Sequence, residues 1–537
     1  MTPQERVRAA FAQLALAERP EAWITLRDLS SVLTEAAALE ARLADGESLP
    51  LAGKLLAVKD NVDVAGLPTT AGCPSYAYQP AVSAPAVQRL VDAGAIVLGK
   101  TNLDQFATGL VGTRSPYGAV RDARDPSLVS GGSSSGSAVV VALGIADLAI
   151  GTDTAGSGRV PAAFQQIVGV KPTYGLVPAD GVVPACRSFD CVTIFARTLD
   201  EARQAIGIMS DPVVPAAAPL AAPPRPVVAV PSSLPALSDS YAEAFEQAVK
   251  SLEATGAVIR TIRLDPFLAA ARLLYEGGFV AERYAAVGAF IDTAPDGVDP
   301  TVGAIIGKAR DIPAHVLVSD TERLAELRRE AMAEWGDADA LLLPTAPFHP
   351  SIAAVEADPI GVNAQLGTYT NFCNLFGLSA VAVPAPGVGV QVVARGFADA
   401  VAADIAALIV GEPGLPLLVV GAHLAGQPLN HQLTSVGARL RGAVRTASEY
   451  RLYALPSGKP GLVRVPSGGA SIVGEVWDMP PAALGPFLVA LPSPMALGKV
   501  RLDDGTSVTG FLCEQAGLAD APDITGHGGW LAYLESR

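Results

Sequence analysis

Short apolar runs alternate with helix-like segments over the first 410 residues or so of this chain. Seven runs have the length and composition of buried strands: KLLAVKDNV, AIVLGK, DLAIGTD, RPVVAV, AVIRTIRL, ADALLLP and LSAVAVP. Four regions have the pattern of helices: APAVQRLVDA, SSSGSAVVVALG, YAEAFEQAVKSLEATG and residues 265–287. This alternation predicts an α/β fold in which helices cover both faces of a sheet.

The pattern changes after about residue 413 to short strand-like runs separated by glycine and proline. These runs are YRLYALP, GLVRVP, ASIVGEVWDMP, FLVALP and GKVRLDDGTSVTGFLCE, and the last contains the hairpin signal DDG. Because a single core does not serve 537 residues, we predict two domains, 1–412 and a mixed, strand-rich 413–537. The Pro/Ala-rich segment 210–226 is predicted to be a surface connection within the first domain, or simply a long loop.

Charge and apolar content exclude several classes of protein. Lys and Arg total 38 against 53 Asp and Glu, which argues against partners such as nucleic acid or an anionic membrane. The N-terminus reads as an amphipathic helix, and the apolar region IAALIVGEPGLPLLVVGAHLAG is interrupted by Glu412 and two prolines. We therefore predict a cytoplasmic protein without a membrane span. The five cysteines and five histidines lack the spacing of a disulfide framework or a metal site.

Candidate chemistry lies in LAIGTDTAGSGR, residues 148–159, where an apolar run ends in small residues around Ser157. A hydroxyl beside closely approaching N–H groups is typical of acyl-transfer nucleophiles, and a plain strand-to-helix turn is the alternative. Upstream, SGGSSSGS at 130–137 places hydroxyls at a helix N-terminus without the pattern of a phosphate loop. Lys59 ends another apolar run, where it either reaches the surface or, if buried beside hydroxyls, serves as a base.

Together, KDN, GGSSSGS and GTDTAGSGR resemble the amidase signature family over roughly residues 20 to 410. The resemblance implies an α/β/α fold, no cofactor and a Ser-cisSer-Lys triad. Carried onto this sequence, the triad has Ser157 as nucleophile, Ser133 as bridging serine and Lys59 as base. A neutral lysine would draw the proton of the nucleophile through the bridging serine.

The resemblance also implies an oxyanion hole built from backbone N–H groups at Thr154, Ala155 and Gly156, together with that of the nucleophile. This sequence departs from the family pattern at two positions. Ser135 stands for the first glycine after the serines of GGSSGG, and Ala155 stands for a glycine. Neither change removes a triad hydroxyl.

Several segments are similar to the allophanate hydrolase branch of the family: TNLDQFATGLVGTRSPYG, AGSGRVPAAF, YEGGFVAERYAAV and the C-terminal VVGAHLAGQPLNHQL. The implied substrate is allophanate, a small carboxylated urea whose carboxylate a guanidinium can hold with two parallel hydrogen bonds. Tyr275 and Arg283, eight residues apart on a helix, would share a face and meet one ligand. A surface arginine and a half-buried tyrosine are the alternative. Gly109 is implied to lie in the loop that faces the nucleophile and to touch substrate.

The resemblance implies that 413–537 has a γ-glutamylcyclotransferase-like fold and helps to decarboxylate the first product, N-carboxycarbamate. His423 is the candidate residue there, in preference to Asn430, because imidazole moves protons at neutral pH; a structural histidine is the alternative. His527, in the GHGGW segment, is the other histidine in a distinctive part of this domain. Implied partners are a biotin-dependent urea carboxylase and a second copy of the chain in a homodimer.

Two other functions stay open at this stage: an amidase of broader scope for aliphatic or aryl amides, and a component of an amidotransferase or a scaffold. The segments 381–400 and 411–424 are shorter than the usual loops of the family. They are either true deletions or places where the sequence skips residues, and the sequence alone does not decide between these.

Overall fold

A computed structural model describes residues 1–211, 215, 218–412 and 414–537. The chain divides into two compact units, Met1–Ala218 with Val227–Val410, and Pro219–Pro226 with Gly411–Arg537. The predicted connection 210–226 therefore contributes to both units, and its residues 212–214 and 216–217 lie outside the described residues.

The first unit is built on one large sheet. Within the described residues this sheet has eleven strands: β1 (Trp23–Leu26), β2 (Leu55–Lys59), β3 (Ile96–Thr101), β4 (Leu148–Asp153), β5 (Val168–Lys171), β6 (Cys191–Ala196), β7 (Val227–Pro231), β8 (Val258–Ile262), β9 (Ala340–Pro344), β10 (Ser379–Ala385) and β11 (Val388–Ala394). Their order is β1-β3-β2-β4-β6-β5-β10-β11-β9-β7-β8. Strand β2 is parallel to β3 and β4, and β7 is parallel to β8 and β9, whereas the other pairs are antiparallel.

Helices α4, α5, α7 and α15 pack directly on strands of this sheet. The α-helices described in the first unit are α1 (Pro3–Ala17), α2 (Leu29–Ala44), α3 (Pro85–Asp92), α4 (Ser135–Ala142), α5 (Val160–Gln165), α6 (Leu199–Met209), α7 (Asp239–Ala254), α8 (Asp265–Glu276), α9 (Ala281–Ile291), α10 (Pro300–Gly307), α11 (Ala314–Trp335), α12 (Ile352–Ala357), α13 (Gly361–Leu366), α14 (Asn371–Leu375) and α15 (Asp399–Val410). The predicted α/β fold is confirmed, as are the N-terminal helix and all seven predicted strands.

Four strands of the large sheet were not predicted: β1, β5, β6 and β11. Polar residues interrupt the apolar pattern in two of them, Thr193 in β6 and Gln391 in β11, although both are completely buried. Gln391 is satisfied by distant groups, since its Nε2 donates to the Tyr369 carbonyl and its Oε1 accepts from Arg159. A buried polar residue with remote partners gives no local strand signal.

The region 265–287 is not one helix, and the argument that placed Tyr275 and Arg283 on a common helical face is wrong. Helix α8 ends at Glu276 and α9 begins at Ala281, with Gly277 and Gly278 between them. A Cβ built on Gly278 would lie 2.6 Å from the Leu317 Cα, so the chain passes closely over α11 at this break. Tyr275 and Arg283 are therefore brought together by a turn between two helices.

The second unit has a five-stranded sheet in the order β13-β16-β12-β18-β17 and a two-stranded sheet, β14 with β15. Its strands are β12 (Leu415–Val419), β13 (Arg439–Arg445), β14 (Tyr450–Ala454), β15 (Pro460–Arg464), β16 (Val473–Met479), β17 (Met495–Arg501) and β18 (Ser507–Cys513). Its described α-helices are α16 (His431–Thr434), α17 (Pro481–Val489) and α18 (Trp530–Glu535). The predicted DDG hairpin is the pair β17 and β18.

The predicted strand FLVALP is wrong, because its first residues belong to α17. Pro481 occupies the first turn of this helix, where the fixed φ of proline suits a helix and its missing N–H costs nothing. The segment is apolar almost throughout, so its periodicity does not separate a helix from a strand. Across the described residues of both units, no helix is long and apolar enough to cross a membrane.

Candidate active site

The parallel strands β2 and β4 end at the same edge of the large sheet and bring Lys59 beside two hydroxyl groups. Lys59 is the last residue of β2 and is completely buried. Its Nζ lies 2.8 Å from Ser133 Oγ and 2.7 Å from Thr152 Oγ1, the latter on β4. Within the described part of the chain, Lys59 has no ion-pair partner. Thr152 is a neighbour that sequence reasoning missed, although it stands in the quoted GTD motif.

Burial lowers the pKa of Lys59 from 10.5 to about 7, because an apolar environment disfavours the charged ammonium. The negative charges of Asp104, Asp153 and Asp190 oppose this effect, and the positive charge of Arg283 adds to it. A large fraction of Lys59 is therefore a neutral amine at neutral pH. Such an amine can accept a proton from the Ser133 hydroxyl, which is within hydrogen-bond distance.

The loop that carries Ser133 is held against β4 by its own serines. Ser134 Oγ donates to the Thr152 carbonyl over 3.1 Å, and the peptide bond between Gly132 and Ser133 is cis. The backbone at Gly132 lies so close to the Asp104 carboxylate that a Cβ there would collide with it. Only glycine therefore fits at this position. The serine-rich composition thus has a structural cause as well as a candidate chemical role.

A buried ion pair shapes the turn after β4. The Asp153 carboxylate accepts hydrogen bonds from the N–H groups of Gly156, at 2.8 Å, and Gly158, at 3.0 Å. It also pairs with the guanidinium of Arg159 at 2.9 Å. Burial by itself would raise the pKa of Asp153, but the charge and hydrogen bonds of Arg159 hold it below its usual value. Both charges stay ionised and brace the turn.

Bracing by Asp153 changes which N–H groups are free at the turn. The N–H of Gly156, assigned to the oxyanion hole by resemblance, is engaged by Asp153. By contrast, the N–H groups of Thr154, Ala155 and Ser157 have no acceptor among the described residues. Unengaged N–H groups in such a turn can bind a developing negative charge. Gly156 contributes its backbone shape instead, with a φ of +124°.

Ser157 is nearly buried, with 3% of its surface exposed. Its hydroxyl makes no hydrogen bond with any described residue, Ser133 included. The structure thus joins Lys59 to Ser133 directly, whereas the second link of the expected triad is not formed. Catalytic hydrogen bonds are often long before substrate binds, so this geometry is compatible with a role for Ser157.

Arg283 and Tyr275 contact each other although they lie on different helices. Arg283 Nη2 donates to Tyr275 Oη over 2.9 Å, and its Cζ lies 5.0 Å from the centre of the Tyr275 ring. Arg283 Nη1 donates to Thr108 Oγ1 over 3.2 Å and to the Ala107 carbonyl over 3.4 Å. Arg283 is buried, yet no described carboxylate forms an ion pair with it. It is therefore a buried positive charge with polar neighbours and no ion-pair partner among the described residues, although its charge favours the ionised form of the buried Asp190.

The loop leading to Gly109 is held by a second guanidinium that sequence reasoning missed. Arg114 is buried, and its Nη1 donates to the Thr108 carbonyl over 2.9 Å. A Cβ on Gly109 would lie 2.5 Å from Asp104 Oδ2, so the loop passes tightly over that carboxylate. Arg114 and Tyr275 line a cavity of about 430 Å³, whose described lining includes neither Arg283 nor the triad residues. Arg114 stands in the quoted TRSPYG segment, which was noted only as a resemblance.

In the second unit, His423 is set between aromatic rings. Its imidazole stacks on Phe511 with ring centres 4.8 Å apart and meets the edge of Phe487. Its Nε2 lies 3.0 Å from Gln432 Oε1, and Asn430 Nδ2 donates to its backbone carbonyl. Burial lowers the pKa of His423, and the positive charge of Lys459 lowers it further. The imidazole is therefore mainly neutral at pH 7.

The other histidine considered in this unit, His527, has a plainer environment. Its ring meets the edge of Tyr533, and its Nδ1 is 3.5 Å from Ser536 Oγ. Over the described residues, no group of three or more His, Cys, Asp or Glu side chains could hold a metal ion.

The large mixed sheet therefore presents a buried lysine, a serine-rich loop and unengaged backbone N–H groups at one edge. The sequence model of the amidase family matches residues 5–402, and that of the allophanate hydrolase C-terminal domain matches residues 415–535. This chain belongs to the amidase family, in the allophanate hydrolase branch.

Two kinds of curated protein are among those that resemble this chain. Urea amidolyase from Saccharomyces cerevisiae is 40% identical over 572 residues, which cover 96% of this chain and 31% of that protein. The chain thus spans about a third of that relative. A glutamyl-tRNA(Gln) amidotransferase component from Deinococcus deserti is 30% identical over 76% of this chain and 93% of its own length. The structure of Kluyveromyces lactis allophanate hydrolase superposes with a TM-score of 0.76 at 38% identity, covering 100% of this chain and 97% of that one.

Proposed function

We propose that this protein is a cofactor-free allophanate hydrolase, which converts allophanate to ammonia and carbon dioxide through N-carboxycarbamate. The observation that carries this proposal is the buried Arg283 guanidinium, which contacts Tyr275 and has no ion-pair partner among the described residues. A buried cation without an ion-pair partner is costly, and a substrate carboxylate would supply one. The similarity to proteins named urea amidolyase and allophanate hydrolase supports the same substrate.

In the proposed reaction, Ser157 Oγ attacks the terminal carbonyl carbon of allophanate. Its proton moves to Ser133 while the proton of Ser133 moves to neutral Lys59, 2.8 Å away. The N–H groups of Thr154, Ala155 and Ser157 stabilise the negative oxygen of the tetrahedral intermediate. The protonated relay returns its proton to the departing nitrogen, so ammonia leaves and an acyl-enzyme remains.

Water completes the cycle through the same groups. The relay takes a proton from water, the resulting hydroxide attacks the acyl carbon, and the ester bond to Ser157 breaks. The product is N-carboxycarbamate, which carries a carboxylate on each side of one nitrogen. Arg283 holds one of these carboxylates throughout, with Tyr275 and the backbone of Gly109 completing the proposed substrate contacts.

The second unit is proposed to dispose of this product, with His423 as the proton-transferring group. The C–N bond of N-carboxycarbamate breaks, carbon dioxide leaves, and the electron pair stays on nitrogen. Nitrogen takes up a proton that the imidazole relays from water. The carbamate that remains releases the second ammonia and another carbon dioxide. A biotin-dependent urea carboxylase as supplier of allophanate, a homodimer and a cytoplasmic location remain proposals from the sequence.

A second candidate is an amidase of broader scope, because the cavity of about 430 Å³ beside Tyr275 exceeds what allophanate needs. A third, a component of an amidotransferase, has support only from the amidotransferase relatives. Ammonia release from allophanate, malonamate, biuret and propionamide, measured side by side, distinguishes them. We expect faster ammonia release from allophanate and malonamate, which carry a carboxylate, than from biuret and propionamide. Faster release from propionamide than from allophanate would favour the broader amidase.

The pH dependence of the reaction should report on Lys59. We expect kcat/KM for allophanate to rise about tenfold per pH unit below 7 and to level off above it, because only the neutral amine accepts a proton. The measurement is ammonia release from pH 5.5 to 9. A profile that is flat across pH 6 to 8 would contradict a base with this pKa.

The same pKa can be checked without activity, by unfolding in urea. The unfolded chain keeps the ordinary Lys59 pKa of 10.5, whereas the native value is about 7. Between these values the unfolded state binds the extra proton, so wild-type stability falls by about 1.4 kcal/mol for each unit that the pH is lowered. The Lys59→Met variant should lack this contribution. Identical pH slopes for the two proteins would refute the lowered pKa.

Replacing His423 should separate the two halves of the reaction. In His423→Ala we expect the first ammonia to appear at the wild-type rate, while N-carboxycarbamate persists longer. Carbon-13 NMR of labelled allophanate follows the intermediate directly. His431→Ala is the matched control, since this neighbouring histidine is exposed and its Nδ1 lies 2.8 Å from the Pro428 carbonyl. If the lifetime of N-carboxycarbamate is the same in His423→Ala as in wild type, His423 has a structural role only.

A further inference from the structure

Asp104 is a completely buried residue to which the proposed reaction gives no role. Its Oδ1 accepts a hydrogen bond from the Arg114 N–H over 3.0 Å. Its Oδ2 accepts two more, from the N–H groups of Val111 at 3.1 Å and Gly112 at 3.0 Å. Burial raises the pKa of this carboxyl group, whereas the charge of Arg114 and the three N–H groups lower it. Both oxygens accept hydrogen bonds, as those of an ionised carboxylate do, and together they close the loop 104–114 from within.

Loop 104–114 carries two acceptors for the Arg283 guanidinium, namely the Ala107 carbonyl and Thr108 Oγ1. Its backbone is strained at this point, because Phe106 and Ala107 have φ values of +50° and +52°, which residues other than glycine rarely adopt. Two such residues in succession persist only where the surrounding contacts enforce the conformation. The three N–H hydrogen bonds to the buried carboxylate at the start of the loop are contacts of this kind. They therefore help to determine where the loop presents its groups.

Asp104 also contacts the segment that carries Ser133. Its backbone N–H donates to the Ser133 carbonyl over 3.1 Å. A Cβ on Gly132 would collide with Asp104 Oδ2, and a Cβ on Gly109 would lie 2.5 Å from the same oxygen. Two glycines from different segments therefore pack against one carboxylate oxygen. This close packing joins the loop of Gly109 to the segment of Ser133.

The charge of Asp104 acts on the proposed base as well. Burial is the main cause of the lowered pKa of Lys59. The charges that oppose this lowering are those of Asp104, Asp153 and Asp190, and Asp104 has the largest effect of the three. Arg283 is a cation that acts in the other direction and lowers the pKa further. A negative charge near an amine favours its ammonium form, so Asp104 moves the loss of the Lys59 proton to a higher pH.

We propose that Asp104 is a positioning residue, whose carboxylate holds the loop of Gly109 against the segment of Ser133. The proposal rests on the proposed function in taking Lys59 and Ser133 as the proton relay and Gly109 as a substrate contact. By its hydrogen bonds Asp104 keeps the substrate contacts in register with the relay. By its charge it sets the pH above which Lys59 is a neutral base. Loss of the hydrogen bonds therefore slows the reaction at every pH, whereas loss of the charge makes the base available at a lower pH.

Asp104→Asn tests both effects in the full-length protein, because it removes the charge and replaces one accepting oxygen by an NH₂ group. We expect kcat/KM for allophanate on the alkaline plateau to fall about 100-fold, the loss typical of a displaced catalytic group. The midpoint of the acid limb should move about one unit toward lower pH, since the ammonium form of Lys59 loses a stabilising negative charge. A residue that only supports the fold would lower the plateau and leave the midpoint unchanged.

Two further variants separate the position of the carboxylate from its charge. Asp104→Glu keeps the charge but adds a CH₂ group for which Gly109 and Gly132 leave no room. Its plateau should fall by about tenfold or more, while its midpoint stays at the wild-type pH. Asp122→Asn is the matched control, because Asp122 is also buried and its carboxylate likewise accepts three N–H hydrogen bonds, two of them from the backbone of its own loop. It should keep the wild-type midpoint.

The shift can also be measured without activity, by unfolding each protein in urea with and without Lys59→Met. In the wild-type background, the stability difference between the two proteins changes with pH down to about 7, where native Lys59 becomes protonated. In the Asp104→Asn background it should go on changing to a pH about one unit lower. This comparison subtracts the effects of Asp104 that do not involve Lys59.

An acid limb of Asp104→Asn with the wild-type midpoint would overturn the proposal, and so would a wild-type plateau in Asp104→Glu. If Asp104→Asn does not fold, Gly109→Ala presses a Cβ against the same oxygen from the other side, and wild-type kcat/KM in that variant would overturn the proposal. A wild-type protein that releases no ammonia from allophanate refutes the proposed function instead. The unfolding experiment then still decides whether the charge of Asp104 acts on Lys59.

Discussion

Ser157→Ala should reduce ammonia release from allophanate by about 10⁴- to 10⁶-fold, the range found when other hydrolases lose a serine nucleophile. In the proposed mechanism Ser133 passes the proton of Ser157 to the Lys59 amine, 2.8 Å from its own Oγ, and Ser157 Oγ is the attacking group. Steady-state assays of purified enzyme at pH 8 test the prediction, and circular dichroism checks the fold.

Ser188→Ala serves as the control for this variant, since Ser188 is an exposed serine whose hydroxyl makes no hydrogen bond among the described residues. It should behave as wild type. Turnover near the wild-type level in a homogeneous Ser157→Ala sample would remove Ser157 from the mechanism. Ser157→Ala should also keep the wild-type affinity for malonamate, because the substitution leaves the backbone N–H groups of the site unchanged.

Arg283→Met should lower kcat/KM for allophanate strongly and affect a neutral amide much less. Removing one partner of a buried charge pair costs about 2–5 kcal/mol, which corresponds to roughly 30- to 4,000-fold. For propionamide, which has no carboxylate, we expect a change of less than about tenfold by the same arithmetic. Parallel measurements of kcat/KM with both substrates give the result.

Two further variants separate charge recognition from structure. Arg283→Lys keeps the charge but loses the forked geometry and the second hydrogen bond, so its activity should lie between wild type and Arg283→Met. Arg272→Met is the matched control, an exposed arginine that lines the neighbouring cavity. Equal losses for allophanate and propionamide in Arg283→Met would show that Arg283 supports the fold and does not read the charge of the substrate.

Local patterns were enough to predict much of the first unit. Lys59 and Asp153 each end an apolar run that is a strand, and the serine-rich segment leads into α4 as its composition indicates. In the second unit, the DDG signal correctly predicted the hairpin of β17 and β18. These features depend on residues close together in the chain, where backbone geometry and burial of one face decide the structure.

Long-range contacts account for the failures. Gln391 did not mark a strand, because its partners Arg159 and Tyr369 are remote in the sequence. Segment 487–492 was taken for a strand, since its uniformly apolar pattern did not reveal helix α17. The contribution of Pro219–Pro226 to the second unit has no local signal at all.

The sequence by itself determined the fold class, the family and the identity of the three triad candidates, because strand ends, glycine turns and clustered hydroxyls are local properties. Only the tertiary structure decided their chemical state. Complete burial makes Lys59 a base near neutrality, and Asp153 withdraws the Gly156 N–H from the oxyanion donors. Tyr275 contacts Arg283 across a break between two helices, whereas the spacing of the two residues had predicted a single helix that carries both. Desolvation and hydrogen bonding act through space, so residues distant in the chain set the charge and the free donors of this site.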